Sequence, residues 1–367
     1  MPRTGRWRRP SAIASALVVA AAAIGFAWAF LGNGDGPPRP AATPCAGTLG
    51  QVPHPNLPPA LGIEGLTGVT VLGPDDTWAV GSSGFLTDGP SSQIDRARIL
   101  YWDGTEWRPV AAPAIDAFVH GLTGTFQARG RLGFLQSVDG VSADDVWAVG
   151  SAGGTLIEHW DGEAWSRVPS PESGEASRAS LASVSAAAAD DAWAVGSVGP
   201  LILHWDGARW SAVDVDAPGV PVRQSTQLST VVALGPDDAW AAGSFFDDAD
   251  DGYQVVMLHW DGSTWRQVRA PNVVPSGTTS VQALAATSSD DVWAVGSWSD
   301  LNHGGDPVHP LAEHWDGVRW RDLAADLPAR SLSAASALRT GEVWSVGTVG
   351  GRGTGGRGFI AHRSYAT

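Results

Sequence analysis

The element His-Trp-Asp-Gly-x-x-Trp constrains the fold of this chain more than any other feature. It stands at residues 159–165, 204–210, 259–265 and 314–320, and at 101–107 with Tyr101 in the first place. Asp-Gly between aromatic-flanked apolar runs is a hairpin signal, because glycine takes the positive φ that a tight turn demands. Each copy follows a run Asp-Asp-x-Trp-Ala-Val/Ala-Gly, whose tryptophans are Trp78, Trp147, Trp193, Trp240 and Trp293. A sixth, weaker run at 341–347 contains Trp344. The chain has 19 tryptophans, and all but Trp7, Trp28 and Trp298 lie at these positions. A side chain that recurs at one place in every repeat is explained by packing between repeats. Trp147, Trp160, Asp161 and Trp165 of the second unit, and Trp193, Trp205, Asp206 and Trp210 of the third, are therefore read as structural.

After a first interval of 69 residues, successive first-run tryptophans are 46 to 53 apart. That period, with several short strands per unit and Gly/Pro punctuation, predicts a β-propeller with one four-stranded blade per repeat. In the second unit the four strands are expected near 136–141, 146–150, 156–160 and 164–168. The fold class is all-β, a six-bladed propeller preceded by one transmembrane helix.

Charge and hydropathy divide the chain into four parts: 1–10, 11–31, 32–46 and 47–367. Residues 1–10 hold four arginines, and 11–31 are 21 uncharged, mostly apolar residues. A membrane span needs roughly 20 such residues, whereas a signal-peptide core has about 7–15. Arginine on the N-terminal side keeps that end in the cytoplasm, so the remainder is expected outside, single-pass at the plasma membrane. A cleaved signal peptide at Ala27-Trp28-Ala29, giving a secreted protein, is the competing reading. Residues 32–46 form a Pro/Gly-rich linker. From residue 47 onward 18 Arg face 37 Asp and Glu, a balance of −19, which repels nucleic acid and anionic lipid. The single cysteine, Cys45, makes no intramolecular disulfide, and its distance from the apolar segment argues against lipidation.

Residues 48–56 resemble the strand-d segments that begin at Trp165 and Trp265, while the last unit stops without a strand d. The N-terminal segment is therefore expected to close the ring, which removes an open edge. From the first-run tryptophan to the Trp-Asp-Gly turn, units 2 and 3 take 13 and 12 residues, and units 1, 4 and 5 take 24, 20 and 22. The last unit is long as well. Units 4, 5, 6 and 1 are neighbours in a closed ring, so one face carries a contiguous arc of long b–c loops. Insertions gathered on one face commonly mark a binding face.

The pattern resembles the BNR/Asp-box-like and kelch or galactose-oxidase-like propeller repeats of bacteria, over about residues 47–367. It departs from them: Asp161 and Gly162 are adjacent with His159 near the Asp-box serine, and strand b lacks the kelch Gly-Gly pair. Galactose-oxidase-like copper chemistry needs a tyrosine–cysteine cross-link, but Cys45 is in the linker. Sialidase-like chemistry needs a nucleophilic tyrosine, for which Tyr253 is the one loop candidate. The resemblance implies a fold and no catalytic set.

The recurring histidines (His159, His204, His259, His314, His362) are spread around the ring and read as structural, and the Asp-Asp pairs as turn caps. Two loops are not repeated. In 245–253, Phe245, Phe246 and Tyr253 flank Asp248, Asp250 and Asp251. Carboxylates are Ca2+ ligand chemistry, but the spacing misses the Asp-x-Asp-x-Asp-Gly register, so a solvated loop is favoured and no cofactor is expected. In 298–309, Trp298 stands near Asn302 and His303, an arrangement suited to stacking on a sugar or packing against a partner. The expected function is a monomeric, non-catalytic binding module for a cell-envelope protein or glycan. Two alternatives are a glycan-directed hydrolase or lyase and an assembly factor for a membrane complex.

Overall fold

A computed structural model describes residues 62–86, 93–113, 133–171, 179–215, 226–247, 252–270, 277–300, 308–324, 327–337, 342–349 and 357–363. The chain divides into two compact units, 1–52 and 53–367, and every described residue lies in the second. The expected transmembrane segment 11–31, the linker and the closing strand at 48–56 lie outside the described residues. Among the described residues no helix is long and apolar enough to cross a membrane.

The described residues form six antiparallel sheets, each built from strands consecutive in sequence. Blade 1 holds β1 (Gly62–Gly73), β2 (Asp76–Leu86), β3 (Gln93–Trp102) and β4 (Trp107–Val110). Blade 2 holds β5 (Phe134–Ser142), β6 (Asp145–Ser151), β7 (Thr155–Trp160) and β8 (Trp165–Arg167). Blade 3 holds β9 (Leu181–Ala188), β10 (Asp191–Gly196), β11 (Leu201–Trp205) and β12 (Trp210–Ala212). Blade 4 holds β13 (Gln227–Gly235), β14 (Asp238–Asp247), β15 (Gly252–Trp260) and β16 (Trp265–Gln267). Blade 5 holds β17 (Gly277–Ser288), β18 (Asp291–Asp300), β19 (Val308–Trp315) and β20 (Trp320–Asp322). Blade 6 shows β21 (Ser331–Ala337), β22 (Val343–Val349) and β23 (Arg357–Arg363). This is a six-bladed β-propeller, and the strands of blade 2 fall within two residues of expectation.

The core lies in the seams between blades. In four seams the strand-b tryptophan of one blade meets both tryptophans of the next blade's Trp-Asp-Gly turn. Trp147 lies 4.8 Å from Trp205 and 5.2 Å from Trp210, the latter edge-on. Trp78, Trp193 and Trp240 repeat the arrangement with Trp160/Trp165, Trp260/Trp265 and Trp315/Trp320. Burying rings of this size provides most of the apolar stabilisation a narrow seam can offer. Inner strands add hydroxyl bonds across seams: Thr67 Oγ1 donates to Leu135 O, and Ser137 Oγ and Ser183 Oγ accept from Val184 N and Val231 N.

The turns explain the invariant residues. Gly162 has φ +90°, and an added Cβ would lie 2.9 Å from Asp144 Cβ, so the c–d turn sits directly on the a–b turn. The Asp161 carboxylate accepts from Glu163 N and Ala164 N. The Trp160 indole N–H donates to Ala143 O. In strand b, a Cβ on Gly150 would lie 1.9 Å from Phe134 O, where β5 bulges. The Asp-Asp pair has a divided role that the turn-cap reading missed. Its second member bonds the repeated histidine, with His159 Nε2 2.8 Å from Asp145 Oδ1, repeated at His204–Asp191, His259–Asp238 and His314–Asp291. Each of these rings also packs on its strand-b tryptophan, as His159 does on Trp147 at 4.1 Å.

Candidate functional site

The two faces of the propeller differ. The a–b and c–d turns make one face, bonded together as described. On the opposite face the b–c hairpins vary in length. In blades 2 and 3 the ladder stops at Ser151↔Thr155 and Gly196↔Leu201. In blade 1 it runs to Leu86↔Gln93, in blade 4 to Asp247↔Gly252, in blade 5 to Ser299↔Val308 and in blade 6 to Val349↔Arg357.

This corrects the reading of 245–253 and 298–309 as loops. Phe245 and Phe246 belong to β14, Tyr253 to β15, Trp298 to β18 and His309 to β19. Continued pairing satisfies backbone groups that an irregular loop would leave to solvent, and aromatic and β-branched residues suit a pleated surface. Asp248, Asp250, Asp251, Asn302 and His303 lie outside the described residues.

Strand alternation then sorts the aromatics. Phe245 packs against the seam of blades 3 and 4, below which Trp193, Leu258 and Trp265 are buried, so it anchors the hairpin. Its cross-strand neighbour Gln254 is buried, with both amide atoms lacking hydrogen-bond partners. Phe246 points the other way and meets Tyr253 edge-on at 5.3 Å. They share a face with Val255 and Met257, which line the seam of blades 4 and 5. Trp298 stacks on His309 at 4.2 Å and packs on the opposite wall of the same seam. The site therefore consists of two aromatic pairs at the mouth of one seam, with Tyr253 the most open of them at 43% exposure.

Beneath this mouth a small cavity is lined by Val255, Met257, Leu311, Glu313 and Trp320. Thr279, cross-strand from Trp298, is buried with its hydroxyl lacking a partner. Glu313 is buried too, and sequence reasoning missed it. The signal was the residue before the repeated His or Tyr, which is Leu100, Leu203 and Leu258 in blades 1, 3 and 4 but Glu158 and Glu313 in blades 2 and 5. Glu158 is fully buried in the seam of blades 1 and 2, and neither carboxyl oxygen has a hydrogen-bond partner. Burial pushes its carboxyl up to about 7, against the weaker pull of Arg167. Among the described residues no group of three or more His, Cys, Asp or Glu is placed to hold a metal ion. The site offers aromatic and apolar contact, which suits recognition of a ring or of an apolar surface.

No family model and no curated protein matches the chain. Among solved structures, one described as "YCF48 bound to D1 peptide" is similar over 81% of this chain and 94% of that chain, at 14% identity and a TM-score of 0.36. A likeness so low carries no argument about function. The propeller rests on the ladders and seams themselves.

Proposed function

We propose that this chain is a non-catalytic binding module that recognises a cell-envelope protein or glycan through its extended b–c hairpins. Residues 11–31 hold it at the plasma membrane with the propeller outside, and a strand from 48–56 completes the last blade. It acts as a monomer and needs no cofactor. The observation that carries the reading is the pair of aromatic contacts, Phe246–Tyr253 and Trp298–His309, on facing walls of one seam at the end of elongated hairpins. A ligand laid across that mouth meets rigid rings with few rotatable bonds, which keeps the entropy cost of binding low.

The test is capture of envelope proteins and a glycan-binding screen with the full chain in detergent, beside the variant Phe246→Ala/Tyr253→Ala. These two residues sit outside the buried clusters, so the variant is expected to fold. Loss of binding in the folded variant is the expected result. Binding that survives unchanged moves the site elsewhere, and turnover of a glycan replaces the reading with an enzyme.

A further inference from the structure

The mouth between blades 4 and 5 repeats a contact that the chain makes elsewhere. In blades 2, 3 and 4 a strand-b tryptophan lies opposite a strand-c histidine, as Trp147 does His159, Trp193 does His204 and Trp240 does His259. The two rings pack at 4.1, 4.2 and 4.5 Å. Each of these tryptophans then receives two indole rings from the next blade at 4.8 to 5.9 Å, one of them edge-on. Trp298 and His309 form the same unit at the hairpin end of blade 5. They too are cross-strand partners, and their rings stack at 4.2 Å. They face blade 4, where the hairpin carries Phe246 and Tyr253.

Below this mouth the walls are apolar. Val255, Met257, Val281 and Leu311 line the cavity, and Glu313 stands a further step down β19 from the mouth. Thr279 lies opposite Trp298 and two residues from Val281, with no register shift between them, so strand alternation puts it on the same face. It is 1% exposed, and its hydroxyl has no hydrogen-bond partner. Leaving a buried hydroxyl unfilled is costly. Here one is kept among apolar groups, beside an aromatic stack.

Resting on the reading that the long hairpins bind a ligand, we propose that this mouth is an anchor pocket for one tryptophan or tyrosine side chain of a partner protein. The incoming ring packs edge-on against the Trp298–His309 unit, as the indoles of blades 3, 4 and 5 do on theirs, and its N–H or O–H donates to Thr279 Oγ1. The count of polar atoms selects this occupant. Indole and phenol carry one polar atom each, which matches one unfilled hydroxyl. A pyranose brings a hydroxyl on most of its ring carbons, and most of them would lose water without gaining a partner. Buried aromatic anchors of this kind carry much of the binding energy at protein interfaces. Rotamer shifts commonly accompany docking, and Tyr253, 43% exposed, is the ring of the mouth with most room to move.

The test pans a random peptide library displayed on phage against the full chain in detergent, then measures the labelled selected peptides by fluorescence anisotropy. The selected peptides are expected to share a tryptophan or tyrosine. Trp298→Ala should weaken them roughly 30-fold, and so should alanine in place of the peptide's aromatic residue. Thr279→Val keeps the side-chain shape and removes the hydroxyl, so it serves even where Trp298→Ala fails to fold. Phenylalanine in place of the peptide's aromatic residue should cost roughly two- to tenfold against wild type and nothing against Thr279→Val. Selected peptides with no shared aromatic residue, or affinities that either substitution leaves unchanged, would overturn the proposal. If no peptide binds while a glycan does, and that binding is lost in Phe246→Ala/Tyr253→Ala, the anchor pocket is refuted and the broader reading of the hairpins stands. If neither class binds at the hairpins, both are refuted.

Discussion

Replacing Glu158 by leucine should stabilise the protein, and by an amount that depends on pH. Glu158 occupies a position filled by Leu100, Leu203 and Leu258 in other blades, all fully buried. It lies on the face of β7 that carries Leu156 and Trp160 into the seam of blades 1 and 2, and its carboxyl is buried and makes no hydrogen bond. A buried polar group without a partner costs about 1–3 kcal/mol even when neutral. Ionisation adds to this. The carboxyl titrates at about 7 when folded and at an ordinary 4.5 when unfolded. The folded value is the raised one, so the unfolded chain loses its proton first. Stability therefore falls as pH rises from about 4.5 to about 7 and is level beyond. The full difference is about 3 kcal/mol, of which about 2.5 kcal/mol falls between pH 5 and pH 8.5. Urea unfolding of wild type and Glu158→Leu at these two pH values isolates this residue, because other groups titrate alike in both proteins. The variant should gain about 1–3 kcal/mol at pH 5 and about 2.5 kcal/mol more at pH 8.5. Glu158→Gln should remove the pH dependence without restoring the apolar contacts. An equal gain at both pH values, or a loss at pH 8.5, would refute the burial argument.

Gly150→Ala should abolish folding or lower stability by more than about 3 kcal/mol, since the new methyl meets a backbone oxygen that cannot retreat; soluble yield and circular dichroism would show it. Val198, a β-branched residue at φ +76°, should gain about 1 kcal/mol on Val198→Gly, read from the urea midpoint. Asp103, Asp261 and Asp316 titrate at about 2, held there chiefly by the Thr105 hydroxyl, the Ser263 hydroxyl and the Arg319 backbone N–H respectively. Their folded values are lowered, so their stabilisation is full above about pH 4 and fades toward pH 2. Asp261→Asn should flatten the acid limb of a stability–pH curve, and a variant with the parent's acid limb would refute this.

The architecture was legible because its determinants are local and repeated. Asp161-Gly162 specifies a turn by backbone geometry, and Trp147, Trp160 and Trp165 recur at a fixed offset, so the blade can be read from one repeat and counted from the rest. The site was legible only as a region. Loop length pointed to blades 1, 4, 5 and 6, but whether 245–253 was a loop or a hairpin depended on pairing that composition does not encode. Phe245 and Phe246 are adjacent and chemically alike, yet strand alternation sends one into a seam and leaves the other beside Tyr253. The bonds from Asp145 to His159 and from Thr67 to Leu135 O join residues 14 and 68 positions apart. Such pairings appear only once the sheet register is known. Glu158 and Glu313 could have been found by aligning the repeats, since both break a leucine position.

The most direct test of recognition through the long hairpins is amide hydrogen exchange of the full chain, alone and with its captured ligand. The account predicts new protection at 244–255 and 297–310, with the Asp-Gly turns of the opposite face unchanged. Protection confined to those turns, or to the short hairpins of blades 2 and 3, would contradict it.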